Sequence, residues 1–60
     1  MSMITEIFGR EVLYYTKEQV IQKIKSLPPS LREKRAYLLK DFAVLTGVVL
    51  TEEDYRDVNS

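Results

Sequence analysis

The apolar positions of this 60-residue chain fall into three runs with helical spacing and one without it. The most regular run is Ser30 to Thr46. Leu31, Leu38, Phe42 and Leu45 lie in one narrow stripe at a period of 3.6 residues, with Leu39 at its edge. The spacing predicts one continuous central helix over residues 30–46. Pro28 and Pro29 end whatever precedes it, because a proline disfavours helical geometry in the residue before it. Ser30 with Glu33 three residues on is a capping box, and Gly47 suits the left-handed position after the last turn. The stem of Arg35 fills a gap in the stripe with its head in water. Lys40, Glu33 and Ala36 fall opposite and are expected to be wet. Tyr37 and Val44 form a second apolar line away from the first, facing either a neighbouring element or another chain.

A second helix is expected over residues 16–27, opened by Thr16 and Gln19 as a capping box and stapled by Tyr15 on Val20. Val20, Ile21, Ile24 and Leu27 share its apolar face, and Lys17, Lys23 and Lys25 point elsewhere. A short third helix is expected over residues 51–58, capped by Thr51 and Asp54, with Leu50 stapled on Tyr55. Tyr55 and Val58 are its inward residues, and Val58-Asn59-Ser60 is expected to fray. Glu52, Glu53 and Asp54 crowd its first turn, where the helix dipole favours carboxylates. Val48-Val49-Leu50 reads as a buried connector or a very short strand.

Residues 1–15 lack a clear period. MITEIF and EVLYY have strand-like composition and Gly9-Arg10 fits a two-residue turn, so a β-hairpin or extended arm is the preferred reading. The alternative is a short helix from Ser2 to Phe8 capped by Gly9. The fold expected is thus mainly α, a single small three-helix domain with a short β-hairpin or extended N-terminal segment, α+β being the alternative class.

Composition narrows the chemistry. The chain has neither cysteine nor histidine, which removes disulfides, the usual nucleophile and the usual general base. The acidic cluster lacks the spacing of a calcium loop, and consecutive helical carboxylates diverge rather than meet on one substrate atom. No catalytic residue, no metal site, no cofactor and no small-molecule substrate are expected; the chain reads as no enzyme. No apolar run approaches the roughly 20 residues of a membrane span, and no leader is visible, so a cytoplasmic location without membrane contact is expected. A chain this short buries a small share of its surface, and self-association is one remedy.

Charge sums to zero but is unevenly placed. Basic residues dominate from Lys17 to Lys40, opposed only by Glu18 and Glu33, and acids dominate from Asp41 onward, opposed by Arg56 alone. The expected function is a small non-catalytic protein–protein interaction or regulatory module, a homodimer or the binder of a protein partner, with Tyr37, Val44 and Tyr14 at the interface. The alternative is a nucleic-acid-binding regulator touching phosphates through Lys23, Lys25, Arg32, Lys34 and Arg35. A third use of the charge is internal: the acidic tail folds against the basic helices.

Ala43-Val44-Leu45-Thr46-Gly47-Val48 resembles the helix–turn portion of helix-turn-helix regulators, and YYTKEQV is similar to the start of some helix-turn-helix and excisionase-type domains. The resemblance spans about a fifth of the chain. It implies a recognition helix after the turn. The residues standing there are Glu52, Glu53 and Asp54, and carboxylates are repelled by a phosphate-lined groove.

Overall fold

The computed structural model describes residues 2–60. Four α-helices and two 3-10 helices make up the fold, and no strand occurs among the described residues. The helices are α1 (Met3–Phe8), α2 (Lys17–Lys25), α3 (Arg35–Thr46) and α4 (Glu52–Asn59). One 3-10 helix (Arg10–Tyr14) joins α1 to α2 and the other (Pro29–Lys34) leads into α3.

The predicted N-terminal hairpin is replaced by α1 and a 3-10 turn; Met1 lies outside the described residues. The alternative reading, a helix ended by Gly9, is the one observed. Gly9 has φ 83°, and its N–H donates to the Thr5 carbonyl, closing α1. The β-branched and aromatic content of this stretch is spent on burial instead of on a sheet. Ile4 and Val12 are both fully buried, and Met3, Phe8 and Tyr15 pack around them. A lone two-stranded hairpin gains little by itself, so the packed alternative wins.

The capping signals of α2 and α4 are realised. Thr16 Oγ1 accepts from the Gln19 N–H while Gln19 Oε1 accepts from the Thr16 N–H. Thr51 and Asp54 do the same at α4. The fraying expected at Val58 does not occur: α4 continues through Asn59 and Val58 is fully buried. Burial of such a side chain stabilises by about 1.5–3 kcal/mol, enough to hold one helical turn in place.

The central rod is not continuous. Residues Pro29–Lys34 wind as a 3-10 helix and only Arg35–Thr46 is α-helical. Pro29 already has the φ of a first helical residue, so the turn starts at Pro29 and Ser30 falls inside it, where it caps nothing. The tighter 3-10 winding shifts the phase, and Leu31 drops out of the stripe into a half-buried position. The core face of α3 is Leu38, Leu39 and Phe42, all fully buried, while Leu45 is exposed. Gly47 closes α3 in the left-handed conformation at φ 78°, donating to the Ala43 carbonyl.

The core is one cluster. Ile4, Val12, Val20, Ile21, Ile24, Leu38, Leu39, Phe42 and Val58 meet at the centre, with Leu27, Val48, Leu50 and Tyr55 around them. Every α-helix contributes, as does Val12 of the first 3-10 helix, and α3 touches α1, α2 and α4. The Cα radius of gyration is 10.2 Å, matching the about 10 Å expected of a close-packed chain of this length. The Val48–Leu50 connector is buried only in part: Val48 and Leu50 pack on the core, but Val49 is 80% exposed. No helix of the described residues is long and apolar enough to cross a membrane.

Candidate interaction surface

Part of the uneven charge is neutralised between α2 and α4. Lys17 Nζ lies 3.0 Å from Asp54 Oδ2, and Lys25 Nζ lies 3.0 Å from Asp57 Oδ1. The two bridges follow the same order along both helices, so α2 and α4 run in the same sense. Asp54 is held below the ordinary carboxylate range, first by the hydrogen bond from the Thr51 backbone N–H and then by Lys17. Such pairs near the surface, here half-exposed, add modest stability and more register.

Arg35 is placed differently from its expected role as a surface cation. It opens α3, and its guanidinium reaches back to the ends of α2 and α4. Nη2 donates to the Lys25 carbonyl at 3.2 Å, and Nη1 to the carbonyls of Val58 and Ser60 at 3.4 and 3.5 Å. C-terminal helix carbonyls are partly negative and lack partners within their own helix, which makes them natural acceptors for a cation. The signal for this was faint: a cation at a helix N-terminus opposes that helix's own dipole, which points to a partner elsewhere.

Of the five basic residues considered for nucleic acid, Lys25 and Arg35 are therefore engaged inside the fold. Lys23 stands 5.7 Å from the centre of the Tyr15 ring, a cation–π contact. Arg32 and Lys34 are exposed on the second 3-10 helix. The five thus do not form one open basic face.

The apolar candidates are more coherent. Tyr37 and Val44 are 56% and 73% exposed and line one shallow groove on α3 together with Lys40 and Asp41. Their spacing of seven residues puts them on the side of α3 opposite Leu38, Leu39 and Phe42. Leu45, beside Val44, borders a second groove with Leu13, Thr5 and Arg10, where α3 meets the N-terminal segment. Tyr14 is 88% exposed on the first 3-10 helix and lines neither groove. Leu45 and Leu13 were not anticipated as surface residues. Leu45 belonged to the predicted core stripe, seven residues on from buried Leu38, but in the last turn of α3 it borders the N-terminal segment and stays 47% exposed.

Asp41 has a structural duty that its sequence position did not announce. Its Oδ2 accepts from the Ile4 N–H at 3.0 Å, tying the first turn of α1 to the middle of α3. A carboxylate at a helix N-terminus also meets the favourable end of the dipole.

Among the described residues no three or more His, Cys, Asp or Glu side chains gather closely enough to hold a metal ion. Comparison with protein-family models, with curated proteins and with solved structures finds no match to this chain.

Proposed function

We propose that this chain is a small non-catalytic interaction module that self-associates through the outer side of α3. The observation that carries the reading is the exposure of Tyr37 and Val44 on the helix face turned away from the core. Two apolar side chains held two helical turns apart on a rigid helix give a partner a fixed, low-entropy surface to bury. Leu45 and Leu13 extend the apolar area toward the N-terminal segment.

The alternative, a nucleic-acid-binding regulator, has less support. Lys25 and Arg35 are occupied within the fold, and the first turn of α4 is acidic.

A dilution series followed by backbone amide shifts tests the proposal. Self-association through this face moves the resonances of Tyr37, Lys40, Asp41, Val44 and Leu45 as concentration rises and leaves those of α2 unchanged. Shifts that stay constant across α3 over the whole series refute it.

A further inference from the structure

The outer side of α3 has an electrical layout that selects how a partner lies on it. Tyr37 and Val44 form its apolar seam, and Lys40 and Asp41 sit between them. At about 100° per residue, Tyr37 and Val44 fall within about 20° of each other, with Lys40 and Asp41 about 50° to either side. The seam thus has one basic flank and one acidic flank, the half-buried Asp41 carboxylate accepting from the Ile4 N–H through Oδ2 and leaving Oδ1 for a cation outside the chain. Lys40 has no ion-pair partner among the described residues, and the chain carries no net charge that resists pairing with itself.

We infer that a second copy of this chain covers the seam with its own α3, the two helices lying parallel about a two-fold axis. The inference rests on the self-association proposed above and adds the identity of the partner, its direction and its register. The symmetry decides the direction. In a parallel pair the two-fold axis runs along the seam and exchanges the flanks, so Lys40 of each copy faces Asp41 of the other, twice. In an antiparallel pair the axis crosses the helices and keeps each flank on its own side, so Lys40 faces Lys40 and Asp41 faces Asp41. Opposite charges across an interface favour one arrangement and like charges penalise the other. Parallel pairing also sets Tyr37 against Tyr37 and Val44 against Val44 at the axis.

Disulfide trapping tests this directly, since the chain has no cysteine of its own. Tyr37→Cys alone and Val44→Cys alone each form a covalent dimer under mild oxidation if the helices are parallel. An antiparallel pair separates each position from its own copy by about 10 Å along the axis, and cross-links form only in a mixture of the two variants, joining position 37 to position 44. That pattern overturns the parallel register while leaving self-association in place. A wild-type chain that stays monomeric at all concentrations overturns both. As a second measurement, Lys40→Glu sets carboxylate against carboxylate at both flanks and weakens the dimer about tenfold at low salt, with recovery as salt screens the repulsion. An unchanged dissociation constant for Lys40→Glu also overturns the parallel pairing.

Discussion

Arg35 Nη2 donates to the Lys25 carbonyl across 3.2 Å, so the first residue of α3 closes the last turn of α2. The same guanidinium reaches the Val58 carbonyl of α4. Three helices thus meet at one side chain, whose Nε is buried without a partner of its own. Arg35→Ala removes a charged donor from these helix ends and is expected to cost about 2 kcal/mol. In a domain of this size that lowers the midpoint of thermal unfolding by roughly 8–16 °C. Arg35→Lys keeps the charge but lacks the planar fork that serves two helix ends together, and is expected to recover less than half of the loss. Thermal unfolding followed by circular dichroism checks both variants.

Val58 anchors α4 from a position that sequence reasoning assigned to a frayed end. It is fully buried among the core side chains. Val58→Ala removes two buried methyl groups and leaves a cavity, for an expected loss of about 2 kcal/mol. Urea unfolding reads this as a lower midpoint with an unchanged slope. A midpoint equal to wild type places Val58 outside the core.

The acid limb of stability carries a contribution from Asp54. Its carboxyl is held below its ordinary value of 3.8 by the Thr51 backbone N–H and then by Lys17. A carboxylate lowered in the folded state stabilises fully above the unfolded value, and the contribution fades as pH falls through the lowered one. Asp54→Asn therefore lowers stability near neutral pH and flattens its fall below about pH 4. Unfolding midpoints measured between neutral and strongly acidic pH compare the two slopes. Parallel slopes for variant and wild type contradict the assignment.

What could be read from the residues was what is local. The capping pairs Thr16–Gln19 and Thr51–Asp54 form as expected, because a cap needs only its own first turn. Gly47 ends α3 for the same reason. The readings that failed depend on contacts distant in sequence or on a choice between similar local energies. Ser30 and Glu33 had the pattern of a cap, but the turn starts at Pro29 with Pro28 in the cap position, two residues earlier than expected. The stretch from Met3 to Tyr14 has residues suited to strands, yet Ile4 and Val12 gain more by joining the core than by pairing alone. Arg35 was expected to keep its head in water, and nothing near Asp41 in sequence marked it for a role inside the fold. Their partners, Lys25, Val58 and Ile4, are brought near only by the completed fold. At the candidate site, the exposure of Tyr37 and Val44 fits the second apolar line seen in the spacing. Leu45 was assigned inward by its spacing from Leu38 and Phe42, and only the completed fold shows that the last turn of α3 leaves it exposed.

The outer side of α3, as a surface that a second chain covers, is what self-association requires above all. Sedimentation equilibrium over a wide concentration range measures this without labels. The wild-type mass is predicted to rise from the 7.0 kDa of one chain toward twice that value, while Tyr37→Glu/Val44→Glu, changed only at exposed positions, stays at the lower mass with unaltered helical content. A wild-type chain that remains at 7.0 kDa throughout the range contradicts self-association through α3.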